Sequence, residues 1–219
     1  MSLFKYTNSK YIEDSLVNGI FRIGTIHDYR NTSKYGNEVG EITEGLFSLE
    51  YDAWEGREID LSSNTYEAAL LRHCLNLKPG DPYLKNKIKF GKGSQIIANL
   101  QTTNGFIFCS SIKFDKKSMA AFSCDVCIEI FNPSKFIKSL SEAIKDKARY
   151  VRDGEVIYTE KQQNYRGLKG LHPAMVKPLK YKHQKEHRII WEPITDEVIE
   201  PLIIECPEAT KYCRKLEFG

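Results

Sequence analysis

The chain is 219 residues long, 41% hydrophobic and 28% charged. That length can bury a full core without disulfide staples, and that balance excludes a disordered chain and a bundle of membrane helices. Lys and Arg total 32 against 29 Asp and Glu, a net of +3, so an electrostatic partner has to be read from a local patch.

Met1 to Asp14 carries Lys5, Lys10, Glu13 and Asp14 with no apolar stretch between them, unlike a secretory signal. No run approaches the roughly 20 apolar residues of a spanning helix, so no membrane partner is expected. Cys74, Cys109, Cys124, Cys127, Cys206 and Cys213 sit mostly among apolar neighbours and read as reduced thiols of a cytoplasmic protein. No repeat or Gly/Ser linker divides the chain, so residues 1–219 are expected to form one globular domain.

In chain order, Leu3 to Thr7 reads as a strand and Ser9 to Asn18 as a helix stopped by Gly19. Ile20 to Ile26 is a second strand, and after a long polar loop Leu46 to Tyr51 is another. Asn64 to Leu77 predicts a helix. Its face holds Tyr66, Ala69, Leu70, His73, Cys74 and Leu77, and Asn64 with Glu67 signals its start. Gln95 to Thr103 and Phe106 to Ser111 flank Asn104-Gly105, a favoured hairpin turn. Ala121 to Phe131 is a strand. Asn132-Pro133 opens a helix with Phe136, Ile137, Leu140, Ala143 and Ile144 on one face. Tyr150 to Thr159 reads as a hairpin around Asp153-Gly154. His187 to Glu192 and Val198 to Glu205 read as strands joined by a Pro193 turn, with a short tail helix. Strands outnumber helices and the turns imply antiparallel pairing. The expected class is α+β: twisted antiparallel or mixed sheets with three or four peripheral helices.

Five stretches carry residues suited to chemistry. Cys124-x-x-Cys127 lies in an alternating run, where residues three apart face opposite ways, so two small strand residues are favoured over a metal site and no metal is expected. Lys177, Lys180, Lys182 and Lys185, with Tyr181 interleaved, could track a phosphate backbone or form a solvated loop. Lys85, Lys87, Lys89 and Lys92 make a similar basic edge, of the kind that deters aggregation. Strand alternation puts Gln184, Glu186 and Arg188 on one face. The amide and the guanidinium flank an orientable carboxylate, although the spacing alone favours a plain Glu186–Arg188 ion pair. Tyr29 and Arg30 precede the polar stretch Asn31 to Gly45, which reads as a binding loop. Arg30 would clamp phosphate or carboxylate unless it pairs with Asp28 or Glu44. Ser110 and Ser111 end an apolar strand at what would be a sheet rim, where serines also form turns.

The order Phe21-x-x-Gly24, Tyr29-Arg30, Glu44-Gly45, Phe108-Cys109-x-Ser111 and Glu186-x-Arg188 resembles a family of uncharacterised bacterial and mobile-element proteins of about this length. More distantly, Tyr6-Thr7 on a first strand, Ser110-Ser111 on a later one and Gln184-x-Glu186 entering a strand are similar to the mono-ADP-ribosyltransferases. That resemblance implies NAD as cofactor. Glu186 would bond the nicotinamide ribose and stabilise the oxocarbenium-like transition state, and Gln184 would position the acceptor. Ser110 would orient the ribose strand, with Tyr29, Arg30 and Arg188 completing the NAD site. The first strand carries Lys5 where the family has Arg or His, and Arg22 or Arg30 are the alternatives for that role.

Three readings follow: an NAD-binding enzyme like the ADP-ribosyltransferases, a nucleic-acid or phosphate-ligand module using the four lysines and Arg30, and a non-enzymatic accessory protein of a mobile element or defence system.

Overall fold

A computed structural model describes residues 1–52, 56–160, 162–164 and 172–216. Its strands and helices give an α+β protein with mainly antiparallel sheets. Two compact units form. One comprises Met1–Gly45, Thr102–Thr159 and Ala174–Gly219, the other Leu46–Gln101 and Glu160–Pro173.

The larger unit is built on one sheet centred on Phe106–Ser111. Along one edge of this strand, Glu186–Pro193 pairs antiparallel with every residue from Phe106 to Ser111, and Ala148–Glu155 pairs with the far side of Glu186–Pro193. The other edge is shared by two strands. Ile20–Thr25 meets only Phe106 and Ile107, and Leu3–Thr7 meets only Ser111. Phe108, Cys109 and Ser110 therefore have no strand partner on that edge, and the sheet is split there. Leu202–Glu205 extends the sheet beyond Ile20–Thr25, while Val126–Ile130 and then Cys213–Lys215 extend it beyond Leu3–Thr7.

The helix Pro133–Ala143 starts as the sequence predicts, with Asn132 accepting from the Lys135 N–H and proline in its first turn. Phe136, Leu140 and Ile144 are buried against the sheet with Leu3, Phe21, Phe106, Phe108, Ile189 and Trp191. Ala143 falls outside this face and is exposed. Burying an aromatic or aliphatic side chain of this kind contributes about 1.5–3 kcal/mol, so this apolar face anchors the helix.

In the smaller unit, Leu46–Asp52 pairs antiparallel with Gln95–Gln101 and parallel with Gln162–Asn164. Glu58–Asp60 pairs with Lys87–Lys89, and an exposed Lys87–Glu58 contact occupies that basic edge. The helix spans Tyr66–Cys74 and is capped by Thr65, whose hydroxyl accepts from the Ala68 N–H, rather than by Asn64. Its buried residues are Ala68, Leu70 and Leu71, while Ala69, His73 and Cys74 are exposed. The run Ala68-Ala69-Leu70-Leu71 offers two apolar faces of similar strength. Arg72, donating to the carbonyls of Leu61 and Ser63, accompanies the one adopted.

Several expected pairings are replaced. The strands flanking Asn104-Gly105 do not form a hairpin: one pairs in the smaller unit and the other in the larger. Asn104 instead accepts from the His27 N–H through its side chain, and the Gly105 carbonyl accepts from Ile26 N–H. Asp153-Gly154 is no turn, because both residues lie within Ala148–Glu155 in register with Ile189 and Arg188. Leu202–Glu205 pairs with Ile20–Thr25 and not with the strand before it. The polar stretch after Arg30 contains the helical segment Thr32–Val39, capped by Asn31 and broken at Gly36, where φ is +70°. No helix among the described residues is long and apolar enough to cross a membrane.

Candidate functional site

All the residues of the site belong to the larger unit. The Gln184–Arg188 stretch is not continuous strand. Leu179–Gln184 is a 3-10 helix, and Lys185 takes the left-handed conformation (φ 45°, ψ 49°) before the strand begins at Glu186. Alternation thus gave the right company for the wrong reason: the turn at Lys185, not a strand face, brings Gln184 beside Glu186. The Ser111 hydroxyl holds the turn by donating to the Gln184 carbonyl at 2.8 Å.

Four charged side chains meet here with almost no exposure to water. Arg188, 1% exposed, grips both carboxylate oxygens of Glu44 at 2.6 and 2.8 Å. Its Nε donates to Glu186 Oε1 at 2.8 Å, its Nη2 reaches Glu186 Oε2 at 3.3 Å, and its Nη1 also donates to the Ala174 carbonyl. Lys177 Nζ donates to Glu186 Oε2 at 2.9 Å and to Gln184 Oε1 at 2.7 Å. Two acids and two bases therefore balance, which is the condition for burying any of them. Burial pushes the Glu186 carboxyl up, but Arg188 and Lys177 outweigh it and hold its pKa well below the usual carboxylate range. Burial likewise pulls Arg188 and Lys177 down, yet Glu186 leads the acids that raise both, so all three stay ionised.

The Cys109 thiol lines the same cavity, and burial followed by the Glu186 charge pushes its pKa up, so it stays protonated. The Glu186 N–H donates to the Tyr158 hydroxyl at 2.7 Å, and the Glu186 carbonyl accepts from Val156 N–H. Backbone and carboxylate are thus both fixed.

This network forms one wall of a cavity of about 180 Å³. Glu186, Arg188, Gln184, Tyr29 and Ser110 all line it, so five of the six residues singled out from the sequence converge. Phe4, Tyr6 and Phe122 add apolar wall, with Lys5 and Cys124 at its border. Arg30 is not among the lining residues. Its Nε donates to the Glu44 carbonyl at 2.8 Å, so it steadies the backbone of the acid that Arg188 grips. Gln184 has both ends of its amide engaged, with Lys177 and with the Glu38 carbonyl at 2.7 Å, so it positions Lys177. The Ser110 hydroxyl lies 3.5 Å from the His187 carbonyl, a long contact. Tyr29 packs on Gly24, where an added Cβ would lie 2.6 Å from its ring, and its hydroxyl is 3.5 Å from Arg22.

Lys177 separates from the basic stretch to which its sequence assigned it. It is 4% exposed and ion-paired, and no phosphate backbone can reach it, whereas Lys180, Lys182 and Lys185 are exposed. Sequence reasoning missed Tyr158 and gave Lys177 and Glu44 other roles, a phosphate contact and a partner of Arg30, instead of placing them beside Glu186 and Arg188. Only the Glu44-Gly45 pair carried a hint: Gly45 has φ +70°, and a Cβ there would lie 2.6 Å from Thr102. Cys124 and Cys127 make no shared site, since Cys127 is buried in Val126–Ile130 while Cys124 precedes that strand and lines the cavity. No cluster of three or more His, Cys, Asp or Glu side chains among the described residues is placed to hold a metal ion.

The fold and site define an α+β protein with a split antiparallel sheet and, beside the split, a pocket walled by a buried network of two acids and two bases. No protein family, curated protein or solved structure matches the chain.

Proposed function

We propose that the cavity takes the nicotinamide–ribose end of NAD and that the protein is an ADP-ribosyltransferase-like enzyme with Glu186 as its key carboxylate. One observation carries this reading: an obligately ionised carboxylate is fixed in the wall of a cavity that also presents Tyr29, Ser110 and Arg188. At about 180 Å³ the cavity is smaller than the roughly 300–1,000 Å³ of whole-ligand pockets, so it suits one end of a dinucleotide.

Glu186 already receives Arg188 and Lys177. The Cys109 thiol lines the cavity beside it, and a ribose hydroxyl placed there is a stronger donor to the carboxylate than a thiol. Held in place, the carboxylate then faces the positive charge that develops on the sugar as nicotinamide departs, a preorganised form of stabilisation. Arg188 and Lys177 keep it ionised and aimed, and Tyr29, Phe4 and Phe122 supply the apolar surface a nicotinamide ring packs on.

The test is nicotinamide release from NAD by the purified protein and by the isosteric Glu186→Gln variant, with a thermal melt of each. The expected result is turnover by the wild type and a loss of roughly 100-fold or more in the folded variant. Cys109→Ser, which keeps a small donor, is expected to retain turnover. Equal rates for wild type and Glu186→Gln, or no binding and no consumption of NAD by the wild type, overturn the reading.

A further inference from the structure

A second cavity of about 450 Å³ lies on the other side of the same sheet split, and its chemistry differs from the first. Its floor is made of Phe21, Phe108, Ile128, Ile130 and Phe136, all of them core residues. Phe136 stands edge-on to Phe21 at 5.4 Å, which keeps this apolar floor rigid. Ile203, 67% exposed, lines the cavity from the strand Leu202–Glu205, and Asp14 lines it from the first helix. A volume of this size falls in the range of small-molecule pockets.

Lys5 borders both cavities, and its charge is the one left over. Its ammonium fills the split by donating to the Cys109 carbonyl at 2.7 Å, one of the residues left without a strand partner on that edge, and it lies 4.7 Å from the Phe108 ring centroid. Neither contact neutralises it. No carboxylate among the described residues is within ion-pair distance, and Glu186, which acts on it through space, is already matched by Arg188 and Lys177. Arg22, the other cation on this wall, by contrast has a carboxylate in contact, Asp28 at 2.6 Å, which it shares with Lys34. Lys5 is only partly exposed, and an ammonium without a counterion beside an apolar wall is unfavourable until an anion arrives.

We infer that the second cavity binds a small apolar monocarboxylate, its carboxylate on the Lys5 ammonium and its hydrocarbon body along Phe21, Ile128, Ile130 and Phe136. One uncompensated charge calls for one negative charge, which favours a carboxylate over a phosphate dianion. The inference does not depend on NAD, since the probes enter the cavity that lacks Glu186.

The experiment is calorimetric titration of the full chain, without NAD, with octanoate, decanoate, 2-naphthoate and the neutral decanol. Decanoate is expected to bind at least 10-fold more tightly than decanol, and each methylene from octanoate to decanoate to tighten binding up to about fourfold, the value for full burial. 2-Naphthoate is expected to bind too, and to lose affinity together with decanoate in Lys5→Met. Lys5→Met should abolish the preference for decanoate over decanol. Ile203 is exposed, so exchanging it does not threaten folding: Ile203→Glu should weaken decanoate several-fold, Ile203→Lys should strengthen it, and decanol should follow neither sign. Acid and alcohol binding alike, no binding of any probe, or Ile203 variants that shift both ligands together overturn the inference. Failure of NAD turnover leaves all these outcomes unaffected, so the two proposals fail separately.

Discussion

Replacing Arg188 with methionine removes the centre of the buried network while keeping much of the side chain's volume. Glu44 loses both of its bonds to the guanidinium and keeps only a 3.2 Å contact from the Gly45 N–H, while Glu186 keeps Lys177. One buried negative charge is then unmatched, and breaking a buried pair in this way costs about 3–5 kcal/mol. For a chain of this length each kcal/mol corresponds to roughly 2–4 °C, so calorimetry at pH 7 should show the transition lowered by about 6–20 °C. The deficit should also depend on pH. In the wild type Glu186 has a depressed pKa, so its contribution is fully present above the ordinary carboxylate pKa and is lost only as pH falls through its lower folded value. The gap between the two proteins should therefore narrow only as pH falls below the ordinary carboxylate range. Adding Glu44→Gln to Arg188→Met should recover about 0.5–3 kcal/mol, the coupling expected of contacting residues. A loss below about 3 °C, or a gap that stays the same below the ordinary carboxylate range, would refute the account of Arg188 as the counter-charge of two buried acids.

Two further outcomes test the packing around the site. Gly24→Ala places a methyl 2.6 Å from the Tyr29 ring, so it should destabilise by about 1–3 kcal/mol in a urea titration and weaken NAD binding by displacing that ring; unchanged stability would mean the ring is free to move. Ser141→Ala leaves the indole N–H of the fully buried Trp191 without its 2.8 Å acceptor and should cost about 1–3 kcal/mol, read as a lower denaturation midpoint with an unchanged slope; a neutral result would place water at that nitrogen.

Much of the local structure was written in the chain. The apolar period of Phe136, Leu140 and Ile144 together with the Asn132 cap sets the helix Pro133–Ala143, and the short β-rich runs set Leu3–Thr7, Ile20–Thr25 and Phe106–Ser111, because these patterns act over a few residues. Residue types also marked Glu186, Arg188, Tyr29 and Ser110 as a group worth inspecting. Partners were another matter. Nothing near Asn104-Gly105 tells a chain that its two flanking strands pair elsewhere, and nothing near Lys177 tells a lysine in a basic run that it will be buried against Glu186. Those outcomes depend on which distant segments share the sheet's edges. The split beside Phe108–Ser110, the lone charge of Lys5 within it and the grip of Arg188 on Glu44, 144 positions away, exist only once the sheet has closed, since charge balance and strand pairing are properties of the assembled core and leave no mark on local spacing.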